Sequence, residues 1–137
     1  MAITVQSVPL QYINATLPHV EKFLAASVAY SDGELTLDAA KVFLTQGMWD
    51  LIVAVDDDNT IHGMVTVQYF NRIDHRVAFI TNIGGRLLAK PELFSQLVDI
   101  LKSNGATCIE GSVRESLMRL WARLGARKKA ISMQIDL

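Results

Sequence analysis

Glu110 is the carboxylate whose surroundings point most directly to chemistry. It lies between Ile109 and Gly111 in a largely apolar run, 107–113. Turned inward there, a carboxylate has a raised pKa suited to accepting a proton. Turned outward, it is a solvated group or the partner of Arg114. A second cluster is Gly84-Gly85-Arg86 with Lys90 nearby. Glycines let backbone N–H groups approach a ligand closely, and the two cations add the charge that phosphate needs. The plainer reading of the glycine pair is a turn or bulge leaving a strand.

Other reactive residue types carry less. Cys108 is the single cysteine, which excludes an internal disulfide and a cysteine-based zinc site. Its apolar neighbours favour an inert, buried thiol. His19, His62 and His75 have no HxH or HExxH spacing, so no metal is expected, and His62 and His75 read first as surface residues. The run Asp56-Asp57-Asp58-Asn59 lacks the glycine and distant glutamate of a calcium loop and reads as a hairpin turn. Arg119 and Arg123 share a helix face that suits solvent, an acidic partner or a phosphate. No aromatic residues interleave with these cations as base stacking would require, so nucleic acid is not an expected partner.

These residues need a scaffold, and the patterning supplies one. Ile3 and Val5 mark a first strand that ends by Pro9. Thr16 is placed to cap a helix with Pro18 in its first turn, and Leu17, Val20, Phe23, Leu24 and Val28 form its apolar face. Thr36 caps a second helix reaching Gln46, with Gly47 in the left-handed position after it. Strands follow over 49–55, 61–70 and 76–83. Lys90-Pro91-Glu92 opens a helix with the stripe Leu93, Leu97, Ile100 and Leu101. A strand over 107–113, a helix over 116–124 closed by Gly125, and a strand over 127–137 complete the order. In the last strand Ile131, Met133 and Ile135 alternate with Ser132, Gln134 and Asp136.

The 137 residues suffice for one domain with its own core, and no repeat or linker divides them. A net charge of −1 gives no global attraction to nucleic acid or an anionic membrane. No apolar run approaches the ~20 residues of a membrane span, and no signal peptide is visible at the start. A cytoplasmic location is expected.

The order strand, two helices, three-strand meander, helix, strand, helix, strand resembles the Gcn5-related N-acetyltransferase fold over nearly the whole chain. WDLIVAVDDDNTIHGMVTV is similar to that family's central hairpin. LFSQLVDILKSNGATCIEGSV is similar to its helix, glycine turn and fifth strand, and RESLMRLWARLGARKKAISMQIDL to its closing helix and final strand. The glycine pair and the "RLG" turn also resemble short acetyltransferase-like proteins of tailed bacteriophages, a podophage internal virion protein among them. The resemblance implies an α/β (α+β) fold, with a mostly antiparallel central sheet of six to seven strands and about four helices. A phage origin would put the protein in the host cytoplasm or the virion.

It also implies acetyl-CoA as cofactor, at a site formed by Ile83, Gly84, Gly85, Arg86, Ala89 and Lys90, with Glu110 and Ser116 as the catalytic candidates. Ser112 is an alternative hydroxyl donor. The sequence departs from the family's pattern in three places. Ala89 and Pro91 stand where the cofactor loop has glycines, and proline has no N–H to give. Trp121 stands four residues before Gly125, where a tyrosine acid is common, and an indole N–H does not deliver a proton at neutral pH. Two functions stay open: acetyl transfer to an amine, or a non-catalytic binding or assembly module of the same fold. The second implies a protein partner or a homo-oligomer, with Trp49, Tyr69, Phe70 and Trp121 as its exposed apolar surface.

Overall fold

Near-continuous apolar runs give the central strands two apolar faces, and the structure buries both. This computed structural model describes residues 2–31, 33–87, 90–113 and 115–137. The elements in chain order are β1 (Ile3–Ser7), α1 (Ile13–Val28), α2 (Leu37–Thr45), β2 (Asp50–Asp56), β3 (Ile61–Asn71), β4 (Arg76–Gly85), α3 (Pro91–Ser103), β5 (Cys108–Gly111) and α4 (Met118–Arg123). Short 3-10 turns at Leu10–Tyr12 and Glu115–Leu117 lead into α1 and α4. The strands form one sheet in sequence order, antiparallel except for the parallel β4–β5 pair.

Leu51, Val53 and Met64 pack with Leu17, Val20 and Leu24 of α1 and Ala40 and Leu44 of α2. On the opposite face Ile52, Ala54, Val65, Val67, Ala78 and Ile80 meet Leu93, Leu97 and Leu101 of α3 and Trp121 of α4. Burying this much aliphatic surface, at about 25 cal/mol per Å², is the main stabilising term. Local signals set the helix ends. Thr36 Oγ1 accepts the Ala39 N–H at 3.1 Å, and Pro91 takes the first position of α3.

The structure corrects three sequence expectations. α1 begins at Ile13 rather than after Thr16, because the 3-10 turn runs straight into it. Thr16 is therefore inside the helix and donates its hydroxyl to the Tyr12 carbonyl at 2.8 Å. The sheet has five strands among the described residues, not six to seven. Residues 127–137 pair with no strand, since alternation defines a face and leaves the partner edge unspecified. Trp49 and Trp121 are each 9% exposed, and Tyr69 and Phe70 are half-buried, so those four do not make an open apolar surface. Trp49 packs on Phe43 with ring centroids 4.7 Å apart.

Candidate functional site

β4 and β5 part company near their middle. They pair from Val77–Cys108 to Ile80–Gly111, where β5 ends and β4 runs on to Gly85. From Thr81 to Gly85 the backbone groups on that side have no strand partner among the described residues. Such an edge is a template for any extended group carrying amides.

A bulge marks the parting point. Thr66 of β3 lies opposite Asn82 and Val67 opposite Ile80, which leaves Thr81 as the extra residue in β4. A polar chain holds it. Ser27 Oγ of α1 donates to Asn82 Oδ1 at 2.8 Å, and Asn82 Nδ2 donates to Thr66 Oγ1 at 3.1 Å. Thr81 Oγ1 donates to the Thr66 carbonyl at 3.1 Å, so in the 2.7 Å contact between the two hydroxyls Thr66 is the donor. Asn82 and Thr66 are buried, so every link matters. Sequence spacing gave no sign of this network, whose partners lie 15 to 55 residues apart.

Past the bulge, Ile83 is half-buried and Gly84 packs on Phe23 of α1. Gly85, at φ +75°, lies against the His62 carbonyl and Gly63, too close for any side chain. The Arg86 N–H then donates to the His62 carbonyl at 3.0 Å. Arg86 and Lys90 are both exposed, and Ala89 falls outside the described residues. The Lys90 carbonyl accepts the N–H groups of Leu93 and Phe94. With Pro91 carrying no N–H, Glu92 has the one first-turn N–H that neither bond uses.

The hairpin beside this loop is braced. Asp56 Oδ1 accepts from the N–H groups of Asp58 (2.8 Å) and Thr60 (3.0 Å), and Oδ2 meets His62 Nε2 at 2.7 Å. The His62 contact, more than the two N–H groups, holds the Asp56 carboxyl below the usual range. His62, expected at the surface, is thus half-buried and tied into the hairpin that supports Arg86.

Glu110 is opposite Phe79, one pair before the strands separate. Lys129 Nζ reaches its Oε2 at 3.0 Å and Arg72 Nη2 its Oε1 at 2.7 Å. Lys129 first, and then Arg72, hold this carboxyl below its usual value. That is the reverse of the raised pKa that an inward-turned, unpaired carboxylate would have, and it agrees with the ion-paired alternative. The expectation missed two cations that reach Glu110 from 38 residues before it and 19 after it. The pairing foreseen with Arg114 falls outside the described residues. Ser116 is exposed in the 3-10 turn after β5, and Ser112 is exposed just before that turn. Burial, then the Glu110 charge, push the Cys108 thiol up, as an inert thiol requires. The structure therefore gathers Ile83, Gly84, Gly85 and Arg86 at one end of β4. Glu110 stands roughly 13 Å back along the strand from Ile83.

Trp121 lies four residues before Gly125. It is a core residue whose Nε1 is the one buried side-chain nitrogen or oxygen without a partner among the described residues. It also walls a groove of about 310 Å³ between α3, β5 and α4. None of the expected site residues lines that groove.

No family model matches the sequence, and no curated protein matches it significantly. Solved structures do match over nearly the full chain. A ribosomal-protein-alanine N-acetyltransferase from Brucella melitensis biovar Abortus 2308 superimposes with a TM-score of 0.69 at 14% identity, covering 99% of each chain. An aminoglycoside acetyltransferase from an uncultured soil metagenomic sample gives 0.67 at 15% identity, covering 100% of this chain and 99% of that one. A predicted acetyltransferase with acetyl-CoA from Clostridium acetobutylicum gives 0.66 at 10% identity, covering 98% and 96%. With its meander, its diverging β4 and β5 and these superpositions, the chain has the fold of the Gcn5-related N-acetyltransferases.

Proposed function

We propose that this protein holds acetyl-CoA along the open edge of β4 and transfers its acetyl group to an amine. The observation that carries this reading is the continuation of β4 from Thr81 to Gly85 beyond its last pair with β5. The amides of a pantetheine arm can pair with that edge as a strand would. Acetyl-CoA, when bound, supplies an acyl group already activated as a thioester. Ile83, Gly84 and Gly85 form the cradle, and Arg86 and Lys90 place positive charge for the phosphates. Ala89, next to Lys90 in the sequence, completes the proposed set. Pro91 and Glu92 make the start of α3 a poorer anion site than a glycine loop, so the two cations carry more of the binding.

Glu110, held ionised by Lys129 and Arg72, is the proposed base: the amine's nitrogen bonds to the acetyl carbon, the carbon–sulfur bond breaks with the thiolate leaving, and the carboxylate takes the proton that the nitrogen gives up. Ser116 offers an exposed hydroxyl donor in the turn that follows β5. A second reading, a non-catalytic binding or assembly module such as a phage virion component, is favoured by Trp121, which fills the tyrosine place as a buried core residue.

Calorimetric titration of the 137-residue chain with acetyl-CoA tests the proposal. Saturable heat and a raised melting temperature are expected. Arg86→Ala and Lys90→Ala, both at exposed positions, should each weaken binding by about threefold to tenfold with little change in stability. Absence of heat and of any thermal shift at millimolar acetyl-CoA would defeat the reading. Binding without turnover on any amine would favour the assembly module.

A further inference from the structure

The face of the sheet toward α1 carries an aromatic and charged patch beside the open edge. Ala78, Ile80 and Ile109 belong to the core against α3. Alternation turns their neighbours Phe79 and Glu110, which lie opposite each other, to the other face. α1 reaches that face at the Ser27–Asn82 bond and ends one residue later at Val28. Phe79 and Phe70 of the adjacent β3 are left half-buried, with ring centroids 6.2 Å apart.

The aromatic pair continues into charge. The Arg72 guanidinium carbon lies 5.3 Å from the centre of the Phe70 ring, and Nη2 donates to Glu110 Oε1 at 2.7 Å. Lys129 Nζ donates to Oε2 at 3.0 Å. Two cations against one carboxylate leave one positive charge in excess. Asp74, the other acid near this hairpin turn, is exposed and faces His75 at 3.8 Å. Both cations also have donors to spare. A guanidinium has five N–H groups and an ammonium three, and Glu110 is the sole hydrogen-bonding partner of either side chain among the described residues. Arg72 and Lys129 are 43% and 53% exposed, open to a ligand.

A zwitterion complements this cluster. A free amino acid carries its nitrogen and its carboxylate on one carbon, as close together as the opposite charges of the cluster are. A carboxylate on the spare donors of Arg72 sets the nitrogen beside Glu110, and bidentate guanidinium–carboxylate pairing fixes that orientation. The side chain then falls toward Phe70 and Phe79, where an aromatic group meets two rings at stacking distance. Glu110 lies opposite Phe79, two residues before Thr81, so the nitrogen is within roughly 7 Å of the start of the open edge. A polyamine would meet an excess of like charge.

We propose that the acceptor is a free α-amino acid with a large apolar or aromatic side chain, its carboxylate held by Arg72 and Lys129 and its side chain by Phe70 and Phe79. The inference rests on the reading of the β4 edge as the seat of acetyl-CoA and narrows its amine to this class. The ammonium first loses one proton to solvent. The nitrogen then bonds to the acetyl carbon as the carbon–sulfur bond breaks, Glu110 takes the nitrogen's remaining surplus proton, and the thiolate is protonated from water. The bound carboxylate also draws Arg72 and Lys129 partly away from Glu110, so the base holds a proton more firmly in the loaded site than in the empty one.

Isotopically labelled protein in millimolar coenzyme A, titrated with L-phenylalanine, 2-phenylethylamine, glycine and spermidine, tests this. L-phenylalanine is expected to shift the signals of Phe70, Arg72, Phe79 and Glu110, and the other three to bind about tenfold more weakly or worse. Arg72→Ala, at an exposed position, should bring L-phenylalanine level with 2-phenylethylamine. In turnover, kcat/KM should favour L-phenylalanine over 2-phenylethylamine by about tenfold in the wild type and hardly at all in the variant. A separate titration with acetyl-CoA tells the two readings apart. Acetyl-CoA bound at β4, with no L-phenylalanine shifts at Arg72 and Phe79, overturns this inference alone. L-phenylalanine shifts without acetyl-CoA binding leave the amino-acid site standing and defeat acetyl transfer. Equal affinity for L-phenylalanine and 2-phenylethylamine, or tighter binding of spermidine, overturns the carboxylate-bearing class. Glycine binding as tightly as L-phenylalanine overturns the role of the aromatic pair.

Discussion

Gly85→Val is expected to lower stability by about 3 kcal/mol or more and to weaken acetyl-CoA binding at least tenfold, roughly. Gly85 holds φ +75°, a region costly for a β-branched residue. Its hydrogen faces the His62 carbonyl and Gly63 Cα, so an added side chain meets backbone that cannot rotate away. Relief requires the ends of β3 and β4 to separate at the Gly63–Gly85 pair. That movement carries off the Arg86 N–H, which is anchored on the same His62 carbonyl. Gly105→Ala is the matching control. Gly105 also has a positive φ, +90°, but no heavy atom within 4 Å of an added methyl. Its expected cost is about 1 kcal/mol with no change in binding. Urea denaturation and calorimetry on both variants check the contrast.

Asn82→Ala is expected to cost about 2–4 kcal/mol, because a buried partner, Thr66, and a half-buried one, Ser27, are left facing a void. The Ser27 hydroxyl loses its acceptor and Thr66 Oγ1 loses a donor, at a residue 4% exposed. The loss reaches the site through geometry. Asn82 follows the bulged Thr81, where β4 turns away from β5. Without the clamp to α1 that bulge can relax toward regular pairing, and the edge from Thr81 to Gly85 moves. Acetyl-CoA affinity should fall together with the unfolding free energy. A stability loss with unchanged affinity would show that the network supports the core and not the edge.

What the sequence made legible was local. The Thr36 cap, the left-handed Gly47, the Pro91 helix start and the Leu93–Leu97–Leu101 stripe each depend on neighbours within a few residues. The glycine that ends β4 at a positive φ, Gly85, was legible for the same reason. Features closed by distant partners were not. The Thr107–Val113 run left Glu110 either turned inward or ion-paired, and the partners that decide it, Arg72 and Lys129, converge from loops that spacing could not connect. Trp49 looked like an exposed aromatic until Phe43 of α2 covered it. The alternation at Ile131, Met133 and Ile135 is strand patterning, but alternation names no partner edge, and among the described residues the segment pairs with no strand.

The open edge of β4 is the proposed seat of the thioester. Amide chemical shifts of the isotopically labelled chain, followed during acetyl-CoA titration, test it most directly. The largest shifts should fall on Thr81, Asn82, Ile83, Gly84, Gly85 and Arg86, with the Trp121 indole signal unmoved. Shifts confined to Trp121, Leu124 and the α3–α4 groove, with the β4 amides still, would contradict the claim.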